Sequence, residues 1–382
     1  MAYFDNAATT FPKPECVYNY MDEFYRLCGG SYGRGAHALS QSVGSLIHDT
    51  RERLKTILHC PAKTVVFEPT ATIALNTIIQ GLIRKGVRNV YITPFEHNAV
   101  TRILHHYDET EAICVQQLAV NSELVYDLER IRYQFEKVKP DLVICSHASN
   151  VIGLVAPVIE IFQLAKDFGA TTLVDMAQTA GLVDLDVGSE MVDFAVFAGH
   201  KTLMGPTGIS GFLMKPDFNL PPILFGGTGF ESANQDMPSS LPERFEAGTI
   251  NTLGIAGLNA SLRWIEEQTV ERIFPAEMQR RECLISILAS YDYLTIVGNV
   301  PGRQYVGIVS CLMSGISSDS AAEIFSKRDI SVRTGLHCAP LAHQFLGTFP
   351  AGTIRFSVNS LTPDTDFEQL NSVLKELEEE MG

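Results

Sequence analysis

Between about residue 40 and residue 215 the chain alternates stretches of helical periodicity with short β-branched runs, and this alternation constrains the fold more than any other feature. Strand candidates are Val65–Phe67, Val90–Thr93, Leu142–Cys145, Thr172–Asp175 and Phe194–Ala198. Helical spacing fills the intervals at about 73 to 84, 97 to 107, 127 to 137 and 158 to 168. Ser40 is placed to cap a helix with Val43, Leu46, Ile47, Leu54, Ile57 and Leu58 on one face. Strands separated by helices join in parallel through crossovers. The expectation is an α/β domain with a mostly parallel sheet and ligand-holding loops at the strand ends.

Residues 216 to 254 break this rhythm with Gly226-Gly227-Thr228-Gly229, several prolines and Asn251, which predicts a long loop or hairpin over a site or a neighbouring subunit. Helices at roughly 255 to 290 follow, then strands near 292 to 297, 305 to 311, 330 to 333 and 353 to 357, and a charged helix from near Pro363. That order suits a smaller α+β domain, and 382 residues exceed what one core usually supports. The expected division is an N-terminal segment over 1–15, a large domain over 16–254 and a small domain over 255–382. No internal repeat is present.

Composition narrows the function classes. Lys and Arg total 29 against 44 Asp and Glu, a net charge of −15, which disfavours nucleic acid and anionic membrane surfaces. No run of 18 apolar residues exists, and the first residues lack a basic-then-apolar leader pattern, so a cytoplasmic location is expected. Eight cysteines, at 16, 28, 60, 114, 145, 283, 311 and 338, include no C-x-x-C pair, so neither a metal site nor a disulfide scaffold is expected. Most are expected to be small buried hydrophobes, Cys145 and Cys311 within strands.

The stretch Ala198-Gly199-His200-Lys201 follows a buried strand and precedes Gly205-Pro206-Thr207-Gly208, which aims Lys201 either into the cleft at the strand's end or into solvent. Asp175 ends the preceding strand and is either a helix N-cap or the partner of a protonated ring nitrogen; Gln178 follows it. Thr70-Ala71-Thr72 joins a strand to a helix, a place where free N–H groups and hydroxyls bind phosphate. His97 opens another helix, as a cap or as a ring lying over a planar ligand, and Asn150 ends a further strand. Four strand ends thus supply a lysine, an acid, an amide and phosphate donors, the inventory of a pyridoxal-phosphate pocket. Cys338, unlike the other cysteines, has His337, Pro340 and Gly335 around it rather than a strand pattern. It reads as an exposed reactive thiol, or as a loop cysteine with no chemistry. Arg355, within a strand-like run, either pairs with a buried acid or clamps a carboxylate.

Taken together, the chain resembles the class V, fold-type I pyridoxal-phosphate enzymes, most closely the group II cysteine desulfurase and selenocysteine lyase branch. The likeness runs from Tyr3-Phe4-Asp5-Asn6-Ala7-Ala8-Thr9-Thr10, through Gly33-Arg34-Gly35-Ala36-His37, to Arg355, and is most specific at the lysine segment and at Arg333-Thr334-Gly335-Leu336-His337-Cys338-Ala339-Pro340. The resemblance implies a seven-stranded sheet with pyridoxal 5′-phosphate on Lys201, Asp175 at the pyridinium, Gln178 and Asn150 near the ring oxygen, and His97 stacked on the ring. It further implies phosphate binding by Ala71, Thr72 and His200, with Thr249 donated across a homodimer. Arg355 would hold the substrate carboxylate, and Arg34 and His37 would line the entrance. Ala198 and Leu336 depart from the residues usual there, a serine and a histidine.

The implied reaction takes L-cysteine to L-alanine. Lys201 moves the Cα proton and Cys338 takes the sulfur as a persulfide for an acceptor protein, as in iron–sulfur cluster assembly. Alternatives are a selenocysteine lyase acting on L-selenocysteine, a class V aminotransferase or epimerase, and a catalytically silent sulfur-relay or scaffold protein.

Overall fold

The computed structural model describes every residue apart from Arg34, Ala36, Ser232 and Gly382. Its central sheet has seven strands in the order Thr64–Glu68, Ser210–Met214, Phe194–Ala198, Thr171–Asp175, Leu142–Ser146, Asn89–Ile92, Cys114–Gln117. All run parallel except Ser210–Met214, which is antiparallel to both neighbours. The side-chain alternation of a strand feeds two cores. Val143 and Cys145 face one, Leu142 and Ile144 the other, where the helices Ala71–Arg84 and Asn98–Asp108 pack.

Two of these strands escaped the sequence reading. Cys114–Gln117 is a partly exposed edge with no apolar period. Ser210–Met214 carries Gly211, where a Cβ would lie 2.1 Å from the Val66 carbonyl oxygen; close strand approach demanded the glycine that blurred the pattern.

The second sheet is antiparallel, ordered Arg333–Gly335, Thr353–Ser357, Ile308–Met313, Leu294–Val297, with the helices Val270–Ala289, Ser318–Ser326 and Asp364–Met381 contributing to its core. The run expected as one strand at 330 to 333 is split: Ile330–Ser331 pairs instead with Ala2–Tyr3, and Arg333 begins a strand of the four-stranded sheet. The helices expected at roughly 255 to 290 are Thr252–Gln268 and Val270–Ala289, parted at Thr269 with φ of 62°. No helix or strand lies between Met214 and Thr252 among the described residues, which matches the predicted excursion.

Two further expectations need correction. The helix Ala38–Ile57 is capped by His37, whose Nδ1 accepts from Ser40 N at 3.3 Å, so Ser40 sits inside the first turn. Cys16, Cys114 and Cys283 are exposed and only Cys60, Cys145 and Cys311 are buried. The chain also has a helix at Glu15–Leu27 that the sequence reading did not anticipate.

Candidate active site

The C-terminal ends of the central strands open on a cavity of about 290 Å3 whose wall includes Lys201, Asp175, His97, Asn150, Cys338 and Arg355. Ala71, Thr72, Gln178 and His200 line it as well. A larger cavity of about 610 Å3, bordered by Tyr126, Leu154, Phe274 and Arg303, has neither a lysine nor a cysteine on its wall. The chemistry therefore selects the smaller one.

Local sequence explains each placement. Lys201 follows the strand Phe194–Ala198, and its turn is held from the N-terminal segment. Thr10 Oγ1 donates to the Lys201 carbonyl at 2.7 Å, and Thr9 Oγ1 and Thr10 N donate to the His200 carbonyl at 3.1 Å each. Burial pulls the Lys201 ammonium down to about 8; the Asp175 carboxylate opposes that shift, and the Arg355 and Arg333 guanidiniums add to it. Asp175 ends the strand Thr171–Asp175 and accepts from Ala177 N at 2.9 Å, but a turn follows it and no helix, so the N-cap reading fails. Burial raises its carboxyl, and the Ala177 N–H and Lys201 oppose the shift.

His97 does two things. Its Nδ1 accepts from Ala99 N at 3.0 Å and caps the helix Asn98–Asp108, while the ring lines the cavity. Burial and then the Lys201 charge hold it down at about 4, a neutral ring suited to stacking. On the neighbouring helix, Thr70 Oγ1 caps through Ile73 N at 3.2 Å, leaving the Ala71 and Thr72 N–H groups without a partner among the described residues.

The cysteine is half-buried rather than exposed. His337 and Cys338 adopt φ of 48° and 58°, a left-handed geometry costing about 1 kcal/mol or more per residue. Two hydrogen bonds from the larger sheet's side pin it: Asn150 Nδ2 donates to the His337 carbonyl at 2.6 Å, and Asn98 N to the Cys338 carbonyl at 2.6 Å.

Arg355 is buried and its fork is committed. One Nη donates to the Asn150 carbonyl at 2.9 Å and the other to Asp5 at 2.8 Å, leaving Nε unpaired among the described residues. Within the chain Arg355 therefore pairs with an acid, though a half-buried one, and Nε is the donor left over.

Two residues that sequence reasoning passed over are Asp5 and Arg333, which donates to Cys338 Sγ at 3.3 Å. Both stand inside the motifs quoted above. His37 is an exposed helix cap and does not line the cavity, and Thr249 is exposed and away from it. Arg34 lies outside the described residues.

The residues fit pyridoxal phosphate on their own chemistry. His200 Nδ1 and Asn150 Oδ1 are buried with no partner among the described residues, and two helix N–H groups and an amine with lowered proton affinity share the cavity with an acid. Ala198 also lines the cavity and brings a methyl with no donor.

Comparison with known proteins agrees. The model of the family described as "Aminotransferase class-V" matches residues 2–370. A Pyrococcus abyssi protein named "Probable cysteine desulfurase" is 31% identical, over 98% of this chain and 94% of its own. An Escherichia coli O157:H7 protein named "Cysteine desulfurase" is 30% identical over 89% of this chain and 84% of its own. The apo structure of a cysteine desulfurase from Thermococcus onnurineus superposes with a TM-score of 0.86 at 30% identity, covering 99% and 94% of the two chains. With its sheet order, its lysine at a strand end and its matched length, the chain belongs to the aminotransferase class-V family, in the cysteine desulfurase branch of these pyridoxal-phosphate enzymes.

Proposed function

We propose that this protein releases sulfur from L-cysteine, leaving L-alanine and a persulfide on Cys338. The observation that carries the reading is that Cys338 and Lys201 line one cavity, so an amino acid held by its amine presents its side-chain sulfur to a thiol. Pyridoxal phosphate, when bound, supplies an electron sink for the carbanion at the substrate Cα.

The chain's own residues do the rest. Lys201, desolvated and partly neutral near pH 8, is placed to take the Cα proton. Asp175 would keep the ring nitrogen protonated, His97 would cover the ring, and Asn150 and Gln178 would hold its oxygen. Ala71, Thr72 and His200 hold the phosphate, completed by Thr249 reaching over from a second copy in a homodimer. Arg355 Nε orients the substrate carboxylate. Arg333 holds the Cys338 sulfur, the nucleophile toward the substrate sulfur. Within this reading, residues 16–254 form the cofactor domain and 255–382 the domain that brings the cysteine. No observation favours selenocysteine lyase, transamination, epimerisation or a silent relay.

The test is sulfide and alanine release from L-cysteine with a reductant, for wild type, Cys338→Ala and Lys201→Ala. Equal amounts of both products, lost in both variants, are expected. A cofactor-loaded wild type that yields no sulfide would sink the reading.

A further inference from the structure

Cys338 stands in the wall between two cavities. Besides the Lys201 cavity it borders a second one of about 460 Å3, and Thr72, His97 and Ala99 are shared by both. The second is a groove between two helices. Ala71–Arg84 contributes Thr72, Asn76 and Gln80, and Asn98–Asp108 contributes Asn98, Arg102 and His106, both sets at a spacing of four that keeps them on one face. The Cys338 end of the groove lies at the N-terminal ends of both helices, where the N–H groups favour negative charge.

One wall is fixed in place. Tyr107 Oη donates to Gln80 at 3.3 Å, Gln80 to Asn76 at 3.1 Å, and Asn76 to the Thr72 carbonyl at 2.9 Å. On the facing helix Tyr107 is committed to Gln80 and Asn98 to Cys338 and Thr101, whereas Arg102 has no hydrogen bond or ion pair among the described residues. The groove is also free of Asp and Glu, in a chain of net charge −15.

We propose that this outer groove binds a small anionic thiol as the acceptor that unloads sulfur from Cys338. The proposal rests on the reading of Cys338 as the persulfide carrier. The volume is that of a small-molecule site, and the single free guanidinium suits a carboxylate carried by the acceptor. The thiol loses its proton to solvent, and its sulfur attacks the terminal sulfur of the Cys338 persulfide. A new sulfur–sulfur bond forms on the acceptor. The bond to Cys338 breaks with its electron pair left on Cys338 as thiolate, and the acceptor departs as a persulfide. No outside oxidant or reductant is needed. Substrate and acceptor then meet Cys338 from different cavities, and a thiol in the groove never displaces the group held at Lys201.

The experiment loads the holoenzyme with one equivalent of L-cysteine, removes small molecules, and follows the persulfide on the Cys338 peptide by mass spectrometry. Mercaptosuccinate, a dicarboxylate, and neutral 2-mercaptoethanol are compared at equal thiolate concentration. Wild type is expected to discharge to mercaptosuccinate about fivefold faster, a preference that shrinks with salt. Arg102→Glu is expected to abolish the preference while the alanine formed on loading and the discharge to 2-mercaptoethanol stay unchanged. Equal discharge to both thiols in wild type overturns the proposal and points to a protein acceptor. A preference that survives Arg102→Glu overturns it too. Loading that forms no alanine overturns the desulfurase reading instead, and so separates the two failures.

Discussion

Arg333 donates from Nη2 to Cys338 Sγ at 3.3 Å, so the only cysteine on the cavity wall has a guanidinium held against it. The contact arises because Arg333 begins the strand that pairs with Thr353–Ser357, while Cys338 ends the left-handed turn that follows. A guanidinium donor fixes the direction in which the sulfur presents itself to an incoming reagent. Arg333→Ala should slow alkylation of Cys338 by iodoacetamide at pH 7.5 by about tenfold, and Arg333→Lys by less, with the bound-cofactor absorption unchanged. Equal alkylation in all three proteins would remove this role.

Lys201 gives a pH prediction with a definite sign. Burial lowers its amine to about 8 from 10.5, so the neutral form prevails above pH 8 and the charged form below. Only a neutral amine adds to an aldehyde. The rate at which cofactor-free protein takes up pyridoxal phosphate should rise with pH, with a midpoint near 8. A midpoint at the ordinary lysine value would contradict the burial argument.

Asp5 and Arg355 form an ion pair of which the arginine is 1% exposed and the acid side chain 23%. Removing the acid strands a buried charge. Asp5→Ala should cost about 3 kcal/mol in chemical denaturation, and the double variant Asp5→Ala/Arg355→Met should recover part of that. A double variant less stable than Asp5→Ala would show that the pair is not coupled as described.

Glu277 is buried on the helix Val270–Ala289 and accepts from Gly307 N at 2.7 Å. Burial raises its carboxyl to about 8 from 4.5, and the Gly307 N–H opposes the shift. Between these values the folded chain keeps the proton and the unfolded chain has lost it, so this residue makes stability fall as pH rises through that window. Glu277→Gln keeps the acceptor and removes the titration. It should melt roughly 3 °C or more above wild type at pH 9, with the gap closing toward pH 5. A gap independent of pH would assign the effect to packing.

Most of the fold was legible because its signals are local. Apolar periods marked the helices Ala71–Arg84, Asn98–Asp108, Leu128–Lys137 and Val158–Asp167 to within a few residues, and the strand Phe194–Ala198 to the residue. Errors fell where a neighbour overrode the local pattern. The edge strand Cys114–Gln117 takes its conformation from Asn89–Ile92, and Gly211 is set by the approach of Val66 and Phe197. Capping by His37 instead of Ser40 follows from one imidazole reaching one N–H, which residue type alone does not specify.

The sequence by itself determined the alternation that makes a parallel sheet, the lysine and acid at adjacent strand ends, and the motifs that carry the family resemblance. These are properties of short segments, written in periodicity and residue type. Only the tertiary structure decided what those segments meet. Asp5 reaches Arg355 across 350 positions, Thr10 holds the Lys201 turn across 191, and Asn150 fixes the His337 carbonyl across 187. Contacts at such separations depend on how the two sheets pack, and the outer groove beside Cys338 exists only because two helices and a distant loop converge. Burial, which sets the proton affinity of Lys201, is likewise a product of that packing and has no expression in the residues taken one at a time.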